Sequence, residues 1–263
     1  MMISGATRSL FVVGDPIDHA RSPALMTAAL ERRGVDAVLL PMRVAVADLA
    51  RFFDAVRVMQ SCLGLLVTMP HKEAALSLVD EATPAARAAR ACNVLRREPS
   101  GRLVGDNLDG EGFARGLERR GYALGGRRVA LVGAGGAAAG IALALAGRGV
   151  ASIAILNRTA ARAEDLAARI RAAAPAVEVT VGDAALGAAD LVVNATSVGM
   201  NAHDPLPVDP ARLASGAMVA EVIMRPARTR LLEAAAARGL ETQPGEPMLA
   251  EQLEAMLDLV LPR

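Results

Sequence analysis

Three features of this 263-residue chain carry groups that could transform an alcohol. Lys72 follows a buried apolar run, Asp109 lies further along the chain, and a glycine-rich turn begins at Gly133. Reversible oxidation of an alcohol needs a group that exchanges the hydroxyl proton, a partner that orients it, and a cofactor that takes the hydride. The lysine, the carboxylate and a nucleotide bound at the turn would supply all three.

The lysine alone is weak evidence, because a surface lysine at the start of a helix is the simpler interpretation of Lys72. Asn93, Asn107 and Asp109, however, supply amides and a carboxylate from two later loops, and all of them are able to converge at one sheet edge. An ordinary lysine ammonium keeps its proton at neutral pH. Lys72 therefore either becomes a better base through burial or acts chiefly as the acid in carbonyl reduction.

Alternating strands and helices must position these groups. In the first hundred residues, apolar strands are predicted at residues 10–14, 38–41 and 63–67, with helices at 23–33 and 46–58. Side chains in the loops that follow such strands are where chemistry is expected.

A second alternating region follows a domain boundary near residue 109 and a predicted helix at 113–121. Its predicted strands are 127–133, 152–157, 177–181 and 190–194, and its helices are 136–148 and 160–173. This pattern is typical of a doubly wound parallel sheet. The fold class is therefore α/β, with domains at residues 1–109 and 110–244. Residues 245–263 complete the first domain, because the helix predicted at 248–261 should pack back onto it.

The turn at residues 133–138 has the spacing G-x-G-x-x-A and lies between a predicted strand and a predicted helix. Bare backbone there lets main-chain N–H groups approach a pyrophosphate, and the helix N-terminus adds the positive end of its dipole. A packing turn in an alanine-rich protein is the alternative. The residues predicted to bind the cofactor at this turn are Gly133, Ala134, Gly135, Gly136 and Ala137.

The end of the next strand predicts which dinucleotide binds. An NAD site usually places an acidic residue there, whereas this chain has Asn157, Arg158 and Thr159, with Arg162 one helical turn further. Two guanidinium groups and a hydroxyl suit a 2′-phosphate, so NADP is predicted over NAD. The alternative is that Asn157 and Thr159 cap the helix while the arginines are solvated.

Three further residues complete the predicted cofactor site. Thr196 belongs to the segment 194–200, which ends a strand and should border the nicotinamide, although an ordinary polar turn is the alternative. Val222 and Gly245 are the other two.

Composition argues against several other classes of partner. The net charge of +1, the 2% aromatic content and the lack of Trp offer neither a basic face nor a stacking platform for nucleic acid. No signal-peptide core precedes Leu10 and no apolar run reaches membrane-spanning length, so a soluble cytoplasmic protein with no membrane partner is expected.

Cys62 and Cys92 should be buried free thiols. No histidine pair has zinc spacing, so no metal site is predicted, and His71 is interpreted as an apolar or surface variant.

Motifs along nearly the whole chain resemble those of the shikimate dehydrogenase family, in the same order. They are residues 14–23, 67–73, Asn93, 107–113, the glycine turn, 157–159, 194–200, and Gly245 with Met248, Leu249 and Gln252. The resemblance implies an N-terminal α/β substrate domain completed by the C-terminal helix, plus a Rossmann-type NADP-binding domain, with the substrate in the cleft between them. It also implies interconversion of shikimate and 3-dehydroshikimate, with Lys72 and Asp109 as the catalytic residues.

The same resemblance assigns substrate-binding residues. Thr68, Asn93 and Gln252 fall on hydroxyl-binding positions of the family, and Ser22 falls on one of its two carboxylate-binding serines. Four positions where the family usually has a polar side chain differ here: they are Ala20, Leu66, Leu108 and Met224.

These apolar replacements leave the substrate open, since each lost hydrogen bond is worth about 1 kcal/mol. One possibility is shikimate, turned over weakly or with a raised KM. Another, which these replacements favour for specificity, is a related cyclic hydroxy-acid or polyol that is quinate-like, aminated or less hydroxylated, with Arg21 or Arg225 replacing the lost carboxylate contacts. The enzyme class is the same in both cases. A nucleotide-sensing Rossmann protein without turnover is the third, although keeping both Lys72 and Asp109 argues against it. An exposed edge of the N-terminal sheet would support a homodimer.

Overall fold

The computed structural model describes residues 2–18 and 20–261, so His19 of the first motif lies outside the described residues. The chain forms two compact units: unit 1 comprises Met1–Leu108 with Gln252–Arg263, and unit 2 comprises Asp109–Glu251. The first boundary falls one residue before the boundary predicted after residue 109, and the second falls seven residues after the one predicted after residue 244. The last helix, Glu246–Val260, begins in unit 2 and ends in unit 1. Among the described residues, no helix has both the length and the apolar character of a membrane span.

Unit 1 contains a six-stranded sheet in the order β2-β1-β3-β5-β6-β4. The strands are β1 (Arg8–Gly14), β2 (Ala37–Arg43), β3 (Cys62–Val67), β4 (Glu81–Ala82), β5 (Val94–Arg97) and β6 (Leu103–Asp106). β1 runs parallel to β2 and β3, whereas β5 is antiparallel to both β3 and β6. The carboxyl ends of β1, β3 and β6 and the amino end of β5 therefore lie at the same edge.

The helices described in this unit are α1 (Ser22–Arg32), α2 (Leu49–Val58), α3 (Lys72–Leu78), α4 (Pro84–Ala89) and the end of α9 (Glu246–Val260). Alternate residues of β1 and β3, such as Phe11 and Leu65, pack with Phe53 of α2 in one buried cluster, because side chains two apart on a strand share a face. Arg33, just after α1, forms ion pairs with Glu254 and Asp258 of α9.

Unit 2 contains a fully parallel sheet in the order β12-β11-β10-β7-β8-β9. Its strands are β7 (Arg128–Val132), β8 (Ser152–Leu156), β9 (Glu178–Val181), β10 (Leu191–Asn194), β11 (Met218–Glu221) and β12 (Glu241–Gln243). Its own helices are α5 (Asp109–Glu118), α6 (Gly136–Gly147), α7 (Ala160–Ala173) and α8 (Arg230–Ala237). This is the strand order of dinucleotide-binding sheets, with the switch point between β7 and β10. The predicted α/β fold class is confirmed.

The predicted strands and helices match the structure closely, with three kinds of difference. Residues 46–48 form a 3₁₀ turn before α2 rather than its first turn. α5 begins at Asp109, four residues before the predicted start. The short elements β4, α4, β5, β6, β11, α8 and β12 were not predicted, because so few residues show no clear periodicity.

The first turn of α5 lies in close contact with α6. Gly110 in α5 lies against the main chain of Gly140 in α6, and a Cβ at Gly110 would overlap the carbonyl oxygen of Gly140. A glycine in a sequence usually indicates a loop. Gly110 instead lies within a helix and allows α5 to pack closely against α6.

We expect Gly110→Ala to destabilise the protein by about 1–3 kcal/mol, because the added methyl group overpacks the contact between α5 and α6. Gly147→Ala is the matched control, since Gly147 also lies in a helix and a Cβ there would meet no described atom within 4 Å. Urea denaturation followed by circular dichroism measures both. Equal stability of the two variants would contradict the packing argument.

Candidate active site and cofactor site

The lysine of unit 1 is held at the carboxyl edge of its sheet. Thr68 follows β3, and its backbone N–H donates to the carbonyl of Val13 at 2.9 Å. Lys72 is half-buried at the first residue of α3, and its carbonyl accepts from the N–H of Cys92 at 2.9 Å. These backbone bonds join the start of α3 to β1 and to the segment before β5, so the positions of Thr68 and Lys72 are tied to the sheet.

His71 lies immediately before Lys72 and is only 1% exposed. Its Nε2 is 2.8 Å from the carbonyl oxygen of Val44, and because a carbonyl only accepts, Nε2 carries the proton and donates. Nδ1 is buried without a hydrogen-bond partner among the described residues. His71 is therefore not a surface residue, and that part of its interpretation is wrong: its buried ring connects the start of α3 to the segment after β2.

Amide side chains from three elements form a connected group at the same edge. The buried Asn93 accepts from the N–H of Leu108 at 2.9 Å through Oδ1, and its Nδ2 lies 3.5 Å from Oε1 of Gln252 in α9. Asn107 donates to the carbonyl of Ala91 at 3.1 Å. The structure thus brings Asn93 and Gln252 into contact within unit 1, as expected of side chains that bind one ligand.

Asp106 fixes the loop that leads to Asp109. Its carboxylate accepts from the hydroxyl of Thr83 and from the N–H of Asn107, the latter at 2.7 Å. The sequence argument did not single out Asp106, although a carboxylate at a strand end is a recognisable signal.

Ser22 and Asp109 each open a helix and are buried. Ser22 is the first residue of α1 in unit 1, and Asp109 is the first residue of α5 in unit 2. A carboxylate is favoured there by the positive end of the helix dipole. The pairing of Asp109 with Lys72 remains a prediction.

The glycine turn of unit 2 has the backbone that a pyrophosphate needs. Gly133 has a φ of +114°, and its N–H donates to the carbonyl of Leu156 at 2.8 Å. A Cβ at Gly133 would lie 3.0 Å from Cγ2 of Thr196. Gly135 precedes α6, and no described side chain caps that helix, so its first N–H groups are left for an anion. The turn fits a dinucleotide.

The segment that follows β8 carries exposed arginine side chains. Val132 and Leu156 are paired at the ends of β7 and β8, so the residues after Leu156 follow the strand next to the glycine turn. Arg158, Thr159 and Arg162 are all exposed. Among the described residues Thr159 makes no side-chain capping bond, so capping does not explain its hydroxyl, and the set fits a 2′-phosphate.

A buried polar cluster lies at the ends of β10 and β11, where Asn194 pairs with Glu221 in the ladder. Nδ2 of Asn194 donates to Oε1 of Glu221 at 2.9 Å and to the carbonyl of Val198 at 3.0 Å. The hydroxyl of Thr229 donates to Oε2 of Glu221 at 2.6 Å. Sequence reasoning missed Glu221 and Thr229, and the available signal was an acidic residue that closes an otherwise apolar strand.

Val222 and Gly245 meet at the neighbouring strand ends. The N–H of Val222 donates to the carbonyl of Asn194 at 3.2 Å, and that of Gly245 donates to the carbonyl of Ile223 at 3.2 Å. The two segments are therefore joined at the carboxyl edge of the sheet, and their contact with a cofactor remains a prediction.

Known proteins are similar to this chain in architecture and in sequence. A family model of the shikimate dehydrogenase substrate binding domain matches residues 12–95, and that of shikimate / quinate 5-dehydrogenase matches residues 117–203. The shikimate dehydrogenase (NADP(+)) of Symbiobacterium thermophilum is 39% identical over 94% of this chain and 87% of its own length.

Solved structures agree with these matches. A shikimate dehydrogenase in complex with NADP+ has a TM-score of 0.90 at 29% identity, covering 98% of this chain and 91% of its own. The ligand-free 5-ketofructose reductase of a Gluconobacter strain has a TM-score of 0.83 at 32% identity, covering 98% and 94%.

A Rossmann-type unit, together with a unit that gathers a lysine and amides at one sheet edge, defines an oxidoreductase of the two-domain α/β class that acts on a CH–OH group. The chain belongs to the shikimate dehydrogenase family.

Burial raises the pKa of the Glu221 carboxyl, and its hydrogen bonds with Asn194 and Thr229 only partly offset this. The contribution of such a carboxyl to the free energy of unfolding is fully present below its ordinary pKa of 4.5, where the group is protonated. This contribution is lost as pH rises through the folded pKa, because the buried group must then ionise. Each pKa unit corresponds to about 1.4 kcal/mol. We therefore expect Glu221→Gln, which cannot ionise, to gain stability relative to the wild type as pH rises above the ordinary pKa.

Urea denaturation at a series of pH values from acid to neutral would measure this difference. Glu233→Gln, on the exposed side of α8, is the matched control for replacing a glutamate by glutamine. A pH-independent difference between Glu221→Gln and the wild type would contradict the assignment.

Proposed function

We propose that this protein catalyses the reversible, NADP-dependent oxidation of a ring hydroxyl to a ketone, with shikimate and 3-dehydroshikimate as the primary pair. The observation that carries the proposal is the edge of the unit 1 sheet, where Thr68, Lys72, Asn93 and Gln252 are positioned by backbone and side-chain hydrogen bonds. Family membership supports the reaction class, and the named activity of the Symbiobacterium relative supports the substrate.

The chain's own groups divide the work of this reaction. Lys72 exchanges the proton of the reacting hydroxyl, and Asp109 orients the lysine and stabilises its charged form. The buried amides of Asn93 and Gln252 and the hydroxyl of Thr68 bind the remaining ring hydroxyls, and Ser22 binds the carboxylate. NADP, when bound, supplies the hydride chemistry.

The cofactor would be held by groups from three strand ends of unit 2. The turn at Gly133 and the uncapped start of α6 bind the pyrophosphate. Arg158 and Arg162 bind the 2′-phosphate, because a guanidinium matches phosphate geometry. Thr196, Val222 and Gly245 border the nicotinamide half.

A second candidate substrate is a related cyclic hydroxy-acid or polyol with fewer polar groups. The specific observation in its favour is that Leu66 is buried at the end of β3, where the family resemblance places a polar side chain. Ala20, Leu108 and Met224 replace polar residues in the same way, which lowers discrimination for a highly hydroxylated acid. The 5-ketofructose reductase among the similar structures supports a change of substrate within this fold.

We also propose a homodimer and a cytoplasmic location. β2 is an edge strand with Leu40 exposed, which leaves its main chain available for pairing with a second copy. Cys62 and Cys92 are buried free thiols, which suits a reducing compartment.

NADPH oxidation measured with 3-dehydroshikimate, and NADP reduction measured with quinate and amino-substituted analogues, test the substrate. A kcat/KM of about 10⁴ M⁻¹s⁻¹ or more with 3-dehydroshikimate is expected for the primary proposal. A clearly higher value with another substrate would favour the second candidate.

Lys72→Ala should lower kcat by about 10²–10⁴-fold while NADPH still binds. Ser77→Ala, on the same helix, is the control, and unchanged turnover in Lys72→Ala would remove the lysine from the mechanism.

Arg158→Ala should raise the KM for NADP by about 10–100-fold, since a charge-assisted hydrogen bond is worth about 1.5–3 kcal/mol. The KM for NAD should stay the same, because NAD lacks the 2′-phosphate. Arg169→Ala provides the matched control, as Arg169 is paired with Asp165 within α7. An equal effect on both cofactors would exclude Arg158 from 2′-phosphate binding. Steady-state kinetics with each cofactor gives the comparison.

A further inference from the structure

The buried cluster around Glu221 lies where a parallel sheet presents its ligands. Asn194 and Glu221 are the last residues of β10 and β11, and ligands of doubly wound sheets bind outside the carboxyl ends of the strands. Both side chains are fully buried, and Thr229 is 1% exposed. None of the three belongs to the glycine turn or to the arginine site.

Glu221, together with the carbonyl of Val198, determines which way the amide of Asn194 points. The Nδ2 group of Asn194 donates to the Glu221 carboxylate, so its Oδ1 faces the other side and accepts from the N–H and the hydroxyl of Thr196, at 3.1 and 2.7 Å. The hydroxyl of Thr196 in turn accepts from the N–H of Val198 at 3.1 Å. One buried carboxylate therefore fixes the backbone of the loop that follows β10.

Glu221 also connects this loop to the segment before α8. Its second oxygen accepts from the hydroxyl of Thr229, which caps α8 by accepting from the N–H of Leu232 at 3.3 Å. The two side chains that donate to the carboxylate, those of Asn194 and Thr229, are neutral, so hydrogen bonds between described residues rather than a salt bridge hold it. Burying such a group is costly unless its partners are kept in place.

We propose that Glu221 is a positioning residue for the nicotinamide-side half of the cofactor site, a role that rests on the proposed binding of NADP. By orienting Asn194 it holds Thr196 and the main chain up to Val198 in one conformation before the cofactor arrives. Without the carboxylate, Nδ2 of Asn194 keeps only the carbonyl of Val198, which lies in the loop itself, and the anchor to β11 is lost. The loop must then be ordered when NADP binds.

Three variants of the full chain test this role. Glu221→Leu removes both hydrogen bonds, and Glu221→Gln keeps an oxygen for Asn194. Asp190→Asn is the matched control, because Asp190 lies at the opposite end of β10 and pairs there with Arg128. The readouts are the Kd for NADPH from fluorescence titration, the KM and kcat, the Tm, and hydrogen exchange of the Thr196 and Val198 amides in the cofactor-free protein.

Glu221→Leu should weaken NADPH binding by about tenfold or more, a change of about 1.4 kcal/mol, and should speed exchange of the two amides. Glu221→Gln should bind NADPH within about threefold of the wild type, a difference below 1 kcal/mol. Asp190→Asn should lower the Tm while Kd and amide exchange stay the same.

Failure of the wild type to bind NADPH would overturn the proposed function and, with it, this role. Normal wild-type binding, with Glu221→Leu no weaker than Asp190→Asn, would overturn the positioning role alone. If Glu221→Leu does not fold, Glu221→Asp replaces it, because its shorter side chain reaches only one of the two partners. Unchanged affinity and exchange in Glu221→Asp would equally overturn the proposal.

Discussion

The structure depends on one constraint: buried polar groups at the carboxyl ends of the strands must be hydrogen-bonded where they lie. Parallel pairing brings the ends of β1 and β3 to one edge in unit 1, and those of β7, β8, β10 and β11 to one edge in unit 2. Asn93 and Glu221 are buried at these edges, and each bonds to neighbouring loops. The polar side chains thereby determine the loop conformations, because an unpaired buried group is expensive.

The two ends of β10 illustrate how differently carboxylates are used in one sheet. Before the strand, Asp190 pairs with Arg128 near the surface, and the guanidinium lowers the pKa of Asp190 to about 2. At the other end, Glu221 of the neighbouring strand β11 is buried beside Asn194 among neutral donors, and burial raises the pKa of Glu221. The first arrangement joins β10 to β7 at an edge with no proposed ligand. The second costs stability at neutral pH, and the orientation of Asn194 depends on it.

Much of this architecture follows from the sequence pattern, and the exceptions have physical causes. Alternation of apolar runs with helical patterns predicts β1, β3, β7 and most of the Rossmann-type unit, since strands buried on both faces need continuous apolar segments. Two-residue and three-residue strands such as β4 and β12 exist only through pairing with a longer neighbour. The start of α5 was missed because a glycine such as Gly110 usually signals a loop. Here Gly110 lies within the helix, and the close approach to Gly140 leaves no room for a side chain.

The sequence by itself determined the fold class, the family, the glycine turn at Gly133 and the residue types available for chemistry, because these depend on local spacing and on side-chain identity. Only the tertiary structure decided which groups meet. It buried His71 against Val44, joined Asn93 to Gln252 of the last helix, and enclosed Glu221 between Asn194 and Thr229. Such contacts join residues far apart in the chain, and strand register and helix packing, rather than local pattern, bring them within hydrogen-bonding distance.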